Sequence, residues 1–244
     1  MKTLYFDCFS GISGDMSIGA LIDIGVEFEM IKYELERLFS KKQPIDLSIT
    51  RLVKCSVSAL KFHVHSPFPE TNLHGFEEIK AFIEHSKLTV GVKSLSTKIF
   101  ENLAKAESQI HGIPIEKIHF HEIGAFDSVI DIVGFSVAFR SLGIKNVISS
   151  PIALGYGLVQ CQHGKYPIPA MATLELLRSA PIYGGDHECE LTTPTGAAII
   201  TTVATGYSEK LPKMQVEKIG YGAGTKDLEG QPNVLRVVCG KVFE

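Results

Sequence analysis

The chain has 244 residues, of which 45% are hydrophobic and 21% are charged, and its formal net charge is −3. This composition is typical of a globular protein with a buried core. The net charge gives no electrostatic support for a nucleic-acid or anionic-membrane partner, and no apolar stretch approaches the length of a membrane span. The five cysteines are scattered and odd in number, which favours reduced thiols and a cytoplasmic location.

The first predicted strand, Thr3–Cys8, runs into a Gly- and Ser-rich loop that is followed by the helix Met16–Ile24. Such a loop before a helix directs several backbone N–H groups to one place and can bind an anion such as phosphate. The cradling residues would be Ser10, Gly11, Ser13 and Gly14. Asp7 and Asp15 would repel phosphate unless a cation lay between them, so they are candidate metal ligands. A tight turn capped by Asp15 explains the spacing equally well, and the loop matches no standard Gly-rich fingerprint.

The next elements alternate between helices and paired strands. Helical spacing of apolar residues predicts helices over Glu27–Phe39, Gly75–His85 and Val92–Ile110, and between the first two an antiparallel strand pair is predicted over Ile45–Lys54 and Val57–His65. Helices alternating with strands predict an α/β (or α+β) fold, a single compact domain in which helices pack on a mixed β-sheet. His63 and His65 share one face of the second strand, where solvated side chains are the simplest interpretation and a shared site is the alternative.

The stretch 117–134 concentrates polar groups in an otherwise apolar part of the chain. These groups are His119, His121, Glu122, Asp127 and Asp131. The pattern predicts a short strand that places both histidines on one face, then a turn, then the helix Asp127–Leu142 with both aspartates on one side. The helix is apolar nearly all round and should be buried. A buried carboxylate is costly without a partner, so we expect Asp131 to face a histidine or a cation.

A simpler interpretation of the same stretch remains open. Asp127 would then be an N-cap, Asp131 a first-turn charge on the helix dipole, and the histidines hydrogen-bonded strand residues. The spacing matches no standard metal-binding signature. The convergence of so many polar groups favours a functional role for the cluster as a whole, with His119, His121 and Asp127 as candidate metal ligands.

The C-terminal half adds a second candidate anion site. A strand is predicted over Asn146–Ile152, a rigid loop over His163–Pro169, and a helix over Ala170–Ser179 with Pro169 at its first position. A further helix should run to about Ala204, with Thr193 as N-cap and Pro194 first. Its candidate anion-binding residues are Thr193, Thr195 and Gly196, although a plain capped helix is the simpler explanation.

The last predicted elements are Met214–Ile219 and the strand Val234–Cys239, with a glycine-rich stretch between them. The alternate glycines of Gly220–Thr225 would permit close approach of a ligand, and a bulged hairpin would need them equally.

Five long, ordered motifs span nearly the whole chain and resemble the LarC family of nickel insertion proteins. They are Tyr5–Met16, His119–Gly134, Pro167–Thr173, Leu191–Gly196 and Gly220–Thr225. The resemblance implies a lyase-type enzyme that inserts Ni(II) into pyridinium-3,5-bisthiocarboxylic acid mononucleotide and so matures the cofactor of lactate racemase. It also implies a CTP-dependent cyclometallation that needs a divalent cation, Mn(II) or Mg(II).

The resemblance gives the candidate residues a chemical context. Imidazole and carboxylate ligands suit Ni(II), Gly-, Ser- and Thr-rich loops suit the substrate phosphate, and a carboxylate such as Asp131 or Glu122 could take the proton from the ring carbon. Full-length members carry a further C-terminal domain, so residues 1–244 are expected to be the N-terminal domain. The implied partner is that domain or a separate polypeptide, and a homo-oligomer is left open.

Two other functions remain as alternatives. The chain could be a non-catalytic scaffold or nickel-delivery module for a separate C-terminal partner. It could also be a general phosphate-ester hydrolase that uses Asp7, Asp15 and a metal ion.

Overall fold

The structure is a computed structural model that describes residues 1–39, 45–65, 75–120, 125–161 and 164–243. Within these residues a seven-stranded mixed sheet has the order β2-β3-β10-β11-β1-β4-β9, and β5-β8 and β6-β7 form two small sheets. The strands are β1 (Lys2–Asp7), β2 (Leu47–Lys54), β3 (Val57–Val64), β4 (Asn146–Ser149), β5 (Ile152–Ala153), β6 (Leu158–Cys161), β7 (Gly164–Pro167), β8 (Ile182–Tyr183), β9 (Gly206–Tyr207), β10 (Met214–Ala223) and β11 (Val234–Val242). The expected mixed sheet with packed helices is confirmed.

Seven α-helices lie within the described residues. They are α1 (Gly14–Asp23), α2 (Phe28–Leu38), α3 (Phe76–Glu84), α4 (Val90–His111), α5 (Ala125–Ser141), α6 (Met171–Leu176) and α7 (Pro194–Val203). None of the helices in the described ranges is both long and apolar enough to cross a lipid bilayer.

The helix α5 forms the centre of the hydrophobic core, as its sequence predicts. Val129, Ile132 and Phe135 are fully buried, and α1, α2, α4 and α7 pack around the helix. A helix with apolar residues on all sides needs such neighbours, because every face that remained in water would lose the free energy of burial. The position of α5 fixes where its two acidic residues lie.

The sheet is built around β1, which pairs with β11 antiparallel and with β4 parallel. The predicted pair of strands near residues 45–65 is confirmed, since β2 and β3 are antiparallel from Leu47↔Val64 to Lys54↔Val57. At the other side, β3 meets β10 in parallel at Leu60↔Gly222. This arrangement places α1 across β3 and β10.

The glycines of β10 permit the close packing of α1 on the sheet. A Cβ on Gly222 would lie 1.8 Å from the carbonyl oxygen of Met16, and one on Gly220 would lie 2.4 Å from that of Ala20. The β-bulge lies at Val216 and Lys218 instead. A bulged antiparallel pair is therefore present, but Gly220 and Gly222 lie away from the bulge and serve contact between a helix and a strand.

Several local predictions are wrong. The stretch 117–120 is no strand, because a 3₁₀ turn at Ile115–Lys117 precedes an isolated bridge between Gly75 and His119. Residues 164–167 form β7 rather than a loop. Pro169 follows a cis peptide bond and precedes the N-cap Ala170 of a short α6, so it is not a helix residue. The loop histidine His163 lies outside the described residues.

Candidate functional site

A cavity of about 1030 Å³ lies where three helices begin. Its walls include Ser13, Gly14 and Asp15 at the start of α1, and Asp127, Ser128 and Asp131 in the first turns of α5. The start of α7 adds Thr193, Pro194 and Thr195. The cavity thus joins the two predicted anion sites and the acidic residues of α5, which are far apart in sequence.

Glycines allow the three helix starts to approach one another. A Cβ on Gly14 would lie 2.3 Å from Oδ2 of Asp131, so only glycine lets α1 begin directly beside that carboxylate. Gly196 plays the same part for α7, because its Cβ would lie 2.0 Å from the carbonyl oxygen of Ile12. Gly11 lies against the backbone of Leu191 with φ of +77°. Of the glycines predicted as site residues, Gly14 lines the cavity. Gly11 and Gly196 allow the backbone segments that surround it to pack closely against each other.

The start of α7 matches its prediction closely. Thr193 is the N-cap, its Oγ1 accepts a hydrogen bond of 3.1 Å from the Gly196 amide, and Pro194 is the first residue of the helix. Because Pro194 has no N–H and the Gly196 amide donates to Thr193, the amide of this first turn that can donate to an anion is that of Thr195.

Two predicted residues lie away from the cavity walls. The Ser10 hydroxyl is buried and donates to the carbonyl oxygen of Pro232 at 2.8 Å, and it accepts from Nε2 of Gln231 at 2.6 Å. Asp7 pairs with Arg236, whose Nε lies 2.9 Å from its Oδ2. The structure therefore gives Asp7 a guanidinium partner and does not bring it to the cavity beside Asp15.

Asp15 is paired with a buried lysine that the sequence analysis did not identify. The Lys61 ammonium on β3 donates to the Asp15 carboxylate and, at 2.7 Å, to Oγ1 of Thr225. Ser13 Oγ and the Met16 amide also donate to Asp15. The only sequence signal was a lysine within an otherwise apolar part of the strand, on the same face as His63.

Asp131 is the most strongly perturbed acid in the cavity. Burial raises the pKa of the Asp131 carboxyl well above its ordinary value, the Asp15 and Asp127 carboxylates raise it further, and the Lys61 ammonium lowers it. Burial also raises the pKa of Asp127, and it raises that of Glu190, which lines the cavity as well. The cavity therefore holds a carboxylic acid that can exchange a proton closer to neutral pH than an exposed aspartate can.

The titration of Asp131 predicts how stability changes with pH. Because the folded-state pKa is raised, this group stabilises the fold most when it is protonated, and the contribution falls as pH rises from its ordinary pKa to the raised one. We expect the Asp131→Asn variant to lack this pH-dependent loss of stability. Its free energy of unfolding should therefore increase relative to that of the wild type as the pH rises from the ordinary pKa to the raised one. Urea unfolding at a series of pH values measures the difference, and Asp227→Asn, at an exposed aspartate, is the control. Parallel pH profiles for Asp131→Asn and wild type would contradict the assignment.

The predicted histidines do not join Asp131 within the described residues. His119 is exposed, bridges the backbone of Gly75 and is not a cavity-lining residue. His121 and Glu122 lie outside the described residues. His111, the last residue of α4, does line the cavity and pairs with Glu107 at 3.2 Å. The cationic group that acts on Asp131 is thus Lys61.

The described residues hold no group of three or more His, Cys, Asp or Glu side chains arranged as a ready-made metal site. A metal ion bound among the described cavity residues would need further ligands from the rest of the chain or from another molecule. The helix starts suit an anion, and the carboxylates suit a cation and a proton.

The comparisons with known proteins agree with one another. A family model described as nickel insertion protein matches residues 4–243. The chain is similar to the pyridinium-3,5-bisthiocarboxylic acid mononucleotide nickel insertion protein of Geobacillus kaustophilus, with 47% identity over 99% of this chain and 60% of the relative. The protein of the same name from Desulfitobacterium hafniense is 46% identical over 100% of this chain and 60% of its own length.

A putative nickel insertion protein of Geobacter metallireducens is 44% identical over 99% of this chain and 61% of its own length. The chain therefore spans about 60% of the length of the curated relatives it matches. No solved structure was found to match it.

Proposed function

The chain belongs to the nickel insertion protein family, and from that premise we propose that its cavity holds pyridinium-3,5-bisthiocarboxylic acid mononucleotide while Ni(II) is inserted. The observation that carries the proposal is the meeting of helix starts and carboxylates in one cavity of about 1030 Å³. That volume is at the upper end of small-molecule sites, which are roughly 300–1000 Å³, and suits a mononucleotide. The named substrate has both an anionic phosphate and metal-binding groups.

The phosphate would bind at the start of α7. The Thr195 amide and the positive end of the helix dipole favour an anion there, and the Ser13 and Thr195 side chains also line the cavity. The acidic residues lie on the α5 side, around Asp127 and Asp131. An elongated substrate that bears phosphate at one end would therefore have its reacting ring directed toward α5.

Nickel would be held jointly by the protein and the substrate. Thiocarboxylate sulfurs are soft donors that suit Ni(II), so the protein needs to add only one or two carboxylate or imidazole ligands. Asp15 and Asp127 are the carboxylates whose charges raise the pKa of Asp131. This sharing of ligands explains how nickel could be handled without a ready-made site of three protein ligands.

Asp131 would act as the base. Formation of a carbon–nickel bond requires that the ring carbon lose a proton while its bonding electron pair passes to Ni(II). A carboxylate with a raised pKa is a stronger base than an ordinary one, and proton transfer by a positioned group contributes about 10²–10⁴-fold to a rate. Glu122 remains a second candidate from the sequence, and His119 and His121 remain candidate ligands that would need to approach the cavity.

The complete reaction that we propose needs more than this chain. It uses CTP with Mn(II) or Mg(II) and a partner domain or polypeptide. It takes place in the cytoplasm and matures the lactate racemase cofactor. The relatives are longer than the region they share with the chain, which supports such a partner. Our test combines the chain with the uncovered part of the Geobacillus kaustophilus relative, the precursor, Ni(II), CTP and Mn(II), and measures the nickel-containing product by mass spectrometry.

Asp15 offers a sharp variant for this test because α1 contains a matched control. Asp15, in the first turn, pairs with Lys61 of β3, and Asp23, the last residue of the helix, pairs with Arg51 of β2. We expect Asp15→Asn to lower the yield of product by about tenfold, since a charge interaction of about 1.4 kcal/mol is lost at the reacting end. Asp23→Asn should leave the yield unchanged. Equal yields from both variants would favour the scaffold alternative.

A further inference from the structure

One part of the cavity lining is apolar and has no role in the proposed reaction so far. This apolar wall is formed by the β6–β7 hairpin and the start of α6, and its residues are Val159, Tyr166, Met171 and Ala172. Val159 and Tyr166 are directly opposite each other in the antiparallel register, so their side chains share one face of the hairpin. Both residues line the cavity, so this face of the hairpin is turned toward it.

Tyr166 gives the apolar wall a flat aromatic surface. The chain contains no tryptophan, and Tyr166 is the only phenylalanine or tyrosine among the described residues that line the cavity. The residue is half-buried, so protein packs against part of it and the rest is accessible. The Ile168 amide donates to the carbonyl oxygen of Gly157 at 2.9 Å, which closes the base of the hairpin and fixes the position of Tyr166.

The charges of the cavity favour a ligand group that is cationic. The described lining residues include no lysine or arginine, whereas five of them carry a carboxyl group. These five are Asp15, Glu107, Asp127, Asp131 and Glu190. Away from the start of α7, a ligand group with a positive charge therefore complements the lining better than a neutral group of the same shape does.

We propose that the apolar wall is the subsite for the pyridinium ring, and that Tyr166 selects a cationic ring by stacking on its face. Flat aromatic groups favour offset stacking, and a cation over the face of a tyrosine ring is attracted by the negative charge of that face. Val159 and Met171 bury the remaining apolar surface of the ligand ring. The inference rests on the proposed function, which supplies the pyridinium substrate, and it adds the residue that recognises the charge of the ring.

Isothermal titration of the pincer nucleotide precursor into Tyr166 variants tests this ring subsite. We expect Tyr166→Leu, first shown to be folded by circular dichroism, to bind about tenfold more weakly, because leucine is apolar but has no aromatic face. Tyr166→Phe keeps the aromatic face and should bind within about twofold of the wild type. The control Tyr33→Leu, at an exposed tyrosine of α2, should bind as the wild type does. Equal affinities of Tyr166→Leu and the wild type would overturn the proposal.

A matched pair of ligands tests the charge of the ring itself. Nicotinamide mononucleotide carries a cationic pyridinium ring, and its reduced dihydropyridine form has the same ribose and phosphate but a neutral ring. We expect the wild type to bind the oxidised form about tenfold more tightly than the reduced form, and Tyr166→Leu to lose much of this preference. A wild-type protein that bound both forms equally, or neither of them, would contradict the ring subsite.

Failure of the ring subsite and failure of the proposed function give different results. If Tyr166→Leu binds the precursor as the wild type does while Thr195→Asp binds it weakly, only the ring subsite is wrong. If the wild type does not bind the precursor, the proposed function itself is wrong.

Discussion

Asp131→Asn is expected to lower the rate of nickel insertion by about 100-fold or more in the reconstituted system. An amide cannot accept the proton that leaves the ring carbon, although it has nearly the same size as the carboxyl group. Asparagine also removes a carboxylate whose pKa is raised by burial and by neighbouring acids, so the fold should not suffer at neutral pH. Single-turnover formation of the product, followed by mass spectrometry, measures the rate.

The control for this experiment is Asp227→Asn, at an exposed carboxylate paired with Lys54 outside the cavity. It should insert nickel at the rate of the wild type. If Asp131→Asn retained a rate within about twofold, a change of roughly 0.4 kcal/mol, Asp131 would not be the base. Glu122 would then be the next group to replace.

Gly222→Ala is expected to destabilise the fold by about 3 kcal/mol, because overpacking of this kind leaves little room to relax. The added Cβ would lie 1.8 Å from the carbonyl oxygen of Met16, and backbone atoms on both sides resist movement. Pushing α1 away from β10 would also separate Asp15 from Lys61 and disturb the cavity. Urea unfolding measures the loss.

The matched control is Gly184→Ala, since a Cβ there meets nothing within 4 Å. It should be neutral or slightly stabilising, because alanine restricts the unfolded chain more than glycine does. A Gly222→Ala variant as stable as Gly184→Ala would show that α1 does not pack on β10 as described.

Local signals predicted the elements that carry the site. The apolar period of α5, the loop before α1 and the Thr-Pro start of α7 all depend on residues close in sequence, and each was predicted with small errors in its ends. The strand pair β2 and β3 was predicted for the same reason. The Gly-rich and Thr-rich stretches were also predicted as candidate anion sites, but their meeting in one cavity was not predicted.

The partners of the acidic residues could not be predicted, because they depend on non-local pairing. Asp7 meets Arg236 across β1 and β11, and Asp15 meets Lys61 across α1 and β3. No periodic pattern or motif in the sequence indicates either of these two ion pairs. The expectation that Asp131 needs a polar neighbour was sound on energetic grounds, yet the neighbour acting on it is a lysine rather than His119.

The role of the glycines in β10 could not be predicted from the sequence either. Alternate glycines in a strand indicate a β-bulge or the close approach of another group, and the sequence does not say whether that group is a ligand or a helix. The structure gives the answer only through the contacts of Gly220 and Gly222 with the backbone of α1. Gly220 and Gly222 let α1 pack closely on the sheet, and this packing positions Asp15.

The central claim is that the cavity binds the pincer nucleotide precursor, with its phosphate at the start of α7. Isothermal titration of the precursor into wild type and Thr195→Asp, each first shown to be folded by circular dichroism, tests it most directly. A carboxylate in the first turn of α7 repels phosphate, so we expect the folded variant to bind about tenfold or more weakly. Val90→Asp, in the exposed first turn of α4, should bind as wild type does. Equal affinity of Thr195→Asp and wild type would contradict the claim.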